Sequence, residues 1–137
     1  MNNSAPGFQQ HPNYEVLIEP SPAHIRVLVG DTVLADSQKA VAVTETRHRP
    51  VWYLPREDVI ENLLSATDTS THCPFKGDAS YWSVTTEDGT LDDVMWSYLT
   101  PYDECLALQG YVSFYTDRVT LEIDGELQAK VGPGWTQ

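Results

Sequence analysis

The stretch THCPFKGDASYWSV, residues 71–84, brings a histidine, a cysteine and a lysine close together in sequence. A cysteine thiolate is a nucleophile, and a nearby cation or histidine stabilises it. His72 adjoins Cys73, but neighbouring side chains on a strand point to opposite faces, so His72 is a poor partner. Lys76 and the more distant His48 are the other groups that could activate the thiol. The stretch therefore predicts either a reactive Cys73 or a structural thiol at a turn.

The segment RHRPVWYLPR, residues 47–56, contains three arginines, one histidine and two aromatic residues, and no acid. The planar guanidinium of arginine binds carboxylates and phosphates through two parallel hydrogen bonds. The segment therefore predicts a site for a polar or anionic ligand, contacted by Arg47, Arg49 or Arg56. The alternative is a solvated turn whose arginines pair with surrounding carboxylates, each pair worth only about 0–1 kcal/mol.

Aromatic residues form a third candidate set, and most of them occupy adjacent or alternate positions in strand-like runs. They are Trp52, Tyr53, Phe75, Tyr81, Trp82, Trp96, Tyr98, Phe114 and Tyr115. Adjacent rings on a strand point to opposite faces, whereas Trp96 and Tyr98 point to the same face. Such rings can line a ligand groove or pack in the core, and the pattern leaves both roles open.

Short β-branched and apolar runs separated by turn residues indicate the elements that position these side chains. HIRVLV (24–29), a Gly-Asp turn and TVLAD (32–36) predict one hairpin. YVSFY (111–115) and VTLEI (119–123) predict a final one. In total we expect eight to ten short strands at near-regular spacing, which predicts a mainly β fold of two antiparallel sheets in a sandwich or open barrel.

The remaining segments complete the expected organisation of the chain. Pro55, early acidic residues and one apolar face predict a single short helix around residues 56–64. The polar run at 65–71 predicts a loop. Residues 1–13 predict a flexible N-terminal arm apart from the core, residues 14–131 a single domain, and residues 132–137 a C-terminal tail.

Composition excludes several classes of partner. The 137 residues include 20 acidic and 8 basic side chains, for a net charge of −12. This balance argues against general binding to nucleic acid or to anionic membranes, both of which require basic surface. The chain has no apolar run long enough to span a membrane and no signal-peptide pattern at its start. We therefore expect a soluble, cytoplasmic protein.

The residues expected of several common catalytic and metal sites are missing. Cys73 and Cys105 are the two cysteines. They do not have zinc-site spacing, and we expect no metal and no cofactor. Glu122 and Asp124 alternate on one predicted face, but the Gly-Ser turn of a nucleotidyltransferase does not precede them. Nucleotidyl transfer is therefore not predicted.

Four ordered blocks give the chain a resemblance to a known family. They are PVWYLPREDV, THCPFKGDASYWSV, VMWSYLTPYDE and GYVSFYTDRV. These blocks resemble the signatures of the domain of unknown function 427 family, which also carries a nucleotidyltransferase-like label. The resemblance covers residues from about His11 to Glu126.

The resemblance implies a β-tent-like fold, in which two antiparallel sheets meet at an angle. Relatives in that fold group often bind zinc through two cysteine pairs, which this chain lacks, so a metal-free version is implied. They also hold small ligands or modified side chains in an aromatic-lined pocket. By analogy the ligand-binding candidates are Trp52, Tyr53, Tyr81, Trp82, Trp96 and Tyr98, with Arg56, Cys73, Lys76 and Arg118 at the rim.

These observations predict a non-catalytic binding module with an aromatic and arginine-lined pocket for a small polar or anionic molecule or a peptide. One alternative is an enzyme that uses Cys73 as its nucleophile, with Lys76 or His48 adjusting its charge. Another is a homodimer subunit whose sheet edge pairs with that of its partner.

Overall fold

The computed structural model of the chain describes residues 3–130. Within this range the strands are β1 (Val16–Pro20), β2 (Ile25–Val29), β3 (Thr32–Ser37), β4 (Val41–Glu45), β5 (Val51–Pro55), β6 (Leu64–Cys73), β7 (Gly77–Thr86), β8 (Gly89–Ser97), β9 (Tyr111–Phe114), β10 (Thr120–Ile123) and β11 (Glu126–Leu127). The helices are α1 (Pro6–Gln10) and three 3-10 helices, Arg56–Asp58, Glu61–Leu63 and Asp103–Leu108. No helix among the described residues is long and apolar enough to cross a membrane. The predicted C-terminal tail, residues 132–137, lies outside the described residues.

All strands pair antiparallel and form two sheets. The larger sheet has the order β1-β4-β5-β9-β8-β7-β6, and the smaller one has the order β11-β10-β2-β3. The prediction of a mainly β fold with two antiparallel sheets is confirmed, and the sheets do not close into a barrel. The hairpin of β2 and β3 is also confirmed, with Gly30 at a φ of 56° in its two-residue turn.

Each face of the larger sheet contributes to a separate apolar cluster. One face packs against the smaller sheet through a cluster that includes Ile25, Val27, Leu54, Trp82, Val84, Met95, Val112 and Leu121. The opposite face carries a second cluster that includes Val41, Val43, Tyr53, Tyr81, Trp96, Tyr98 and Leu108. Because a strand alternates its side chains between faces, adjacent residues such as Tyr81 and Trp82 belong to different clusters.

One continuous helix, as predicted around residues 56–64, does not form. Two 3-10 turns, Arg56–Asp58 and Glu61–Leu63, stand there instead, and the two residues between them are extended. Val59 forms a bridge with Ala35 of β3 and is buried, and the Ile60 amide donates to the Leu34 carbonyl at 2.8 Å. Backbone bonding to β3 and the β-branched Val-Ile pair favour the extended conformation over a continuous helix.

Two predictions about strands also need correction. The run at 65–71, predicted as a loop, belongs to β6, an edge strand with a bulge after Ala66. The predicted final hairpin does not form, because β9 pairs with β5 and β8 while β10 pairs with β2 and β11. The chain crosses from one sheet to the other, so side chains of β9 and β10 meet across the core rather than along one sheet.

The N-terminal segment packs against the domain rather than standing apart from it. Ala5 and Gly7 are buried, and the Gly7 amide donates to the Pro74 carbonyl at 2.9 Å. A β-carbon at Gly7 would lie 2.7 Å from the Phe75 ring, so this close approach requires glycine. The Phe8 ring meets Phe75 edge-on, with 5.0 Å between the ring centroids. Residues of the predicted arm therefore cover the turn between β6 and β7.

Candidate functional site

An aromatic cavity of about 410 Å³ lies on the face of the larger sheet that points away from the smaller sheet. Its walls are Tyr14, Glu45, His48, Val51, Tyr53, Thr71, His72, Cys73, Pro74, Phe75, Lys76, Tyr81, Trp96, Tyr98 and Tyr115. The volume lies in the range of small-molecule sites, which are mostly apolar with a few placed polar groups.

Strand alternation places the rings of this cavity. Tyr53 on β5 and Tyr81 on β7 point to the cavity, whereas their neighbours in sequence point to the other core. Trp96 at the end of β8 and Tyr98 just beyond it share the cavity face, as their spacing predicts. Three strands and the segment just after β8 thus supply these aromatic walls.

The turn between β6 and β7 forms the edge of the cavity. Cys73 pairs with Gly77 across the turn, and Gly77 has a φ of 118°, which favours glycine. Phe75 at its tip stacks on Tyr14, with 4.0 Å between ring centroids and an interplanar angle of 12°. The predicted turn and the strand that follows it are therefore present, and they direct Lys76 inward.

A buried ion pair provides the polar centre of the cavity. The Lys76 Nζ lies 2.5 Å from Glu45 Oε2, and the side chains are only 7% and 13% exposed. The Tyr14 hydroxyl donates to the other carboxylate oxygen of Glu45 at 2.7 Å. Burial, together with this carboxylate, raises the pKa of Tyr14 above its usual range. The carboxylate therefore has two donors, and Lys76 is charge-balanced within the cavity.

Hydroxyl groups add further hydrogen-bonding atoms to the aromatic walls. The Trp96 Nε1–H donates to the Tyr53 hydroxyl at 3.1 Å. The Tyr81 hydroxyl lies 3.0 Å from Thr71 Oγ1 and 3.3 Å from the Tyr115 hydroxyl. Burial raises the pKa of Tyr53 and of Tyr115 above the usual range, so both hydroxyls are neutral at neutral pH.

The two cysteines occupy different environments. Cys73 lines the cavity, half buried, with its Sγ 4.0 Å from the Lys76 Nζ. Cys105 is fully buried in the 3-10 helix Asp103–Leu108, where burial raises its pKa to about 11. Both thiols are free. Cys73 is thus the cysteine that a molecule in the cavity would meet.

The structure brings most of the predicted site residues together but leaves four elsewhere. Tyr53, Cys73, Lys76, Tyr81, Trp96, Tyr98 and His48 line the cavity. Trp52 and Trp82 pack on the opposite face of the sheet, where Arg56 lies over the Trp82 ring at 4.8 Å and pairs with Glu61. Arg118 donates to the Asp92 carbonyl at 2.6 Å. The arginine rim predicted at Arg56 and Arg118 is therefore not part of this cavity.

Sequence reasoning missed Glu45 and Tyr14, which complete the polar centre. A signal for Glu45 exists in β4, where Val41, Val43 and Glu45 occupy alternate positions on one face. A carboxylate that continues a buried apolar face requires a partner, and Lys76 supplies it. For Tyr14, nothing in the neighbouring sequence indicates the Glu45 contact.

Among residues 3–130, no group of three or more His, Cys, Asp and Glu side chains is arranged to hold a metal ion. Glu122, one of the carboxylates considered in the sequence, accepts a hydrogen bond from Arg26 Nη1 at 3.0 Å. Asp124 lies in a turn with a φ of 52°.

These features define an all-β domain of two antiparallel sheets with an aromatic cavity on the outer face of the larger sheet. The chain belongs to the family described as Domain of unknown function (DUF427), whose model matches residues 17–125. No curated protein matches the chain. The match includes every cavity residue except Tyr14, which lies just before it.

Proposed function

We propose that this protein is a non-catalytic binding module that holds a small, planar, polar molecule in its aromatic cavity. The supporting observation is the cavity itself, about 410 Å³ of space whose aromatic walls are Tyr14, Tyr53, Phe75, Tyr81, Trp96, Tyr98 and Tyr115. Aromatic faces bind flat molecules by stacking, and a few placed hydroxyls select their orientation.

Ring-to-ring contacts hold the walls of the cavity in place. The Trp96 ring packs at 4.7 Å from Tyr115 and edge-on at 6.1 Å from Tyr53, measured between centroids. Side chains fixed by such contacts lose little further freedom when a ligand arrives, which favours binding. The ligand's polar groups would meet the hydroxyls of Tyr53, Tyr81 and Tyr115.

The charges support a neutral occupant in the interior of the cavity rather than an anionic one. Arg56 and Arg118 lie elsewhere, and Lys76 is bonded to Glu45. A lysine and a carboxylate 2.5 Å apart present almost no net charge to a molecule beside them. The proposed contacts inside the cavity therefore do not include the arginines expected from the sequence.

Binding of phenol, indole and benzamide, three flat polar probes, tests the proposal. Saturation-transfer NMR should detect binding, and a probe at 100 times its Kd should raise the free energy of unfolding by about 2.7 kcal/mol. Thr71 lines the cavity from β6, so Thr71→Trp should block binding by filling the space.

Ser70→Trp is the matched control, because Ser70 is exposed on the same strand and does not line the cavity. It should bind the probes like the wild type. Absence of binding by the wild type, or equal binding by both tryptophan variants, would contradict the proposal.

A second candidate function is a cysteine-dependent reaction, favoured by the 4.0 Å separation between Lys76 Nζ and Cys73 Sγ. An ammonium group near a thiol stabilises the thiolate and raises its reactivity. Lys76 is also held by Glu45, which competes for that charge. The arrangement therefore supports binding more strongly than nucleophilic catalysis.

Alkylation by iodoacetamide, followed by mass spectrometry, tests this second candidate. Cys73 should react before Cys105, because Cys105 is buried and its raised pKa leaves little thiolate. Lys76→Met should slow labelling of Cys73 if the lysine activates the thiol. An unchanged rate in Lys76→Met would remove the support for a reactive cysteine.

A further inference from the structure

A second concave space adjoins the aromatic cavity and has a different chemical character. Its volume is about 420 Å³, and the rings of Tyr14, His48 and Phe75 line both spaces. Beyond these shared rings the outer space is lined by polar side chains that include Arg47 and His11. A molecule held in the inner cavity therefore has a second compartment next to it.

The outer space has no acidic side chain among its lining residues, in a chain with a net charge of −12. Arg47 is exposed, and within residues 3–130 it forms no ion pair. Arg26 and Arg56, by contrast, are each paired with a carboxylate. The guanidinium of Arg47 is thus available to a ligand in the space beside the aromatic cavity.

Local backbone structure holds Arg47 and His48 at this position. The His48 amide donates to the Glu45 carbonyl at 2.9 Å, which closes the turn between β4 and β5. Arg47 has a left-handed φ of 65° within that turn. The His48 Nδ1–H donates to the Thr46 carbonyl at 2.7 Å and fixes the ring that both spaces share. The polar wall is therefore built by the same strand pair that supplies Glu45 and Tyr53.

We infer that the ligand is a planar molecule with an anionic phosphate or carboxylate group, its ring in the inner cavity and its anion on Arg47. This inference rests on the proposed function and adds the class of ligand. The guanidinium binds either anion through two parallel hydrogen bonds. Lys76 is not the anion's partner, because its ammonium is buried and bonded to Glu45.

Four probes test the inference by isothermal titration at low ionic strength: phenol, phenyl phosphate, phenylacetate and inorganic phosphate. We expect at least one anionic aromatic probe to bind about tenfold more tightly than phenol, the effect of one charge-assisted pair. Inorganic phosphate alone should bind far more weakly than phenyl phosphate, because it lacks the ring. The better of the two anionic probes distinguishes a phosphate ligand from a carboxylate ligand.

Arg47→Asn removes the guanidinium at a position where asparagine tolerates the left-handed backbone. It should lose the tenfold preference and bind phenol as the wild type does. Arg49→Asn removes the same charge two residues away, and Arg49 lines neither space. This control should keep the preference. In the wild type, added salt should weaken phenyl phosphate binding and leave phenol binding unchanged.

The outcomes separate this inference from the proposed function. If phenol binds and neither anionic aromatic probe binds more tightly, the inference is wrong and the proposed function stands. Equal losses in Arg47→Asn and Arg49→Asn, or inorganic phosphate binding as tightly as phenyl phosphate, would also overturn it. If none of the aromatic probes binds, both the inference and the proposed function are wrong.

Discussion

The two faces of the larger sheet are built from the same strands but differ in packing and chemistry. On β5, Leu54 packs against the smaller sheet, whereas Tyr53 lines the cavity. On β8, Met95 likewise packs against the smaller sheet and Trp96 lines the cavity. The inner face, which packs against the smaller sheet, is an apolar, close-packed layer. The outer face, on the opposite side of the larger sheet, carries hydroxyls, an ion pair and the aromatic cavity of about 410 Å³.

Under the proposed binding function, this difference separates the face that stabilises the fold from the face that would hold a ligand. A close-packed interior stabilises the fold through burial and contact, and every side chain there is constrained by its neighbours. A cavity forgoes some of these contacts and leaves polar atoms accessible to a ligand. Substitutions on the two faces should therefore differ in what they change: the free energy of unfolding on the inner face, and ligand binding on the outer face.

The largest expected effect is on the inner face. Leu54→Ala should lower the free energy of unfolding by about 2–5 kcal/mol, because Leu54 is fully buried between the sheets and its truncation leaves a void. Val51→Ala, on the cavity face of the same strand, should cost about 1 kcal/mol. Urea unfolding of both variants measures the difference. Equal losses would mean that the outer face is packed as tightly as the inner one.

The next effect concerns the ion pair on the outer face. Lys76→Met should cost about 2 kcal/mol, since it leaves the Glu45 carboxylate largely buried without its cation. This is less than the loss for a fully enclosed pair, because the Tyr14 hydroxyl still donates to Glu45. Urea unfolding again provides the measurement.

The double variant Glu45→Gln/Lys76→Met is the control for this prediction. It removes both charges and should recover most of the stability lost in Lys76→Met, since no uncompensated charge remains. A double variant less stable than Lys76→Met would show that the pair itself, rather than the unpaired carboxylate, accounts for the loss.

Much of the fold could be predicted from the sequence, because alternation and turn residues are local signals. The β2–β3 hairpin and the shared face of Trp96 and Tyr98 follow from them directly. Alternation identifies a strand's faces but not its partner, which is why β9 and β10 were wrongly paired. At Val59 a contact with β3, distant in sequence, overrides the local helical pattern.

The candidate site was predicted in part, for a related reason. The aromatic pairs indicate that one ring points to each face, but not which face holds a cavity, so Trp82 and Tyr81 were indistinguishable. The sequence also could not show which arginines lie near the cavity, because the partner of Arg56 comes from an irregular segment and that of Arg118 from a distant one. Tyr14 and Lys76 meet Glu45 from positions 31 residues away on either side, a contact that only the tertiary fold creates.

The smallest expected effect is an alkaline loss of stability that arises on the outer face. Burial, reinforced by the neighbouring Tyr53, raises the pKa of Tyr98 well above its value of about 10 in an unfolded chain. The unfolded chain therefore releases the proton first, so the stability contribution is complete below pH 10 and is lost as the pH rises toward the folded pKa. At pH 11 the loss is about 1.4 kcal/mol for this tyrosine.

Urea unfolding between pH 8 and 11 should show a steeper decline in the wild type than in Tyr98→Phe, which has no phenol to ionise. Parallel declines would mean that Tyr98 is ionised as readily in the folded protein as in the unfolded chain, and that the cavity face admits water as freely as the surface.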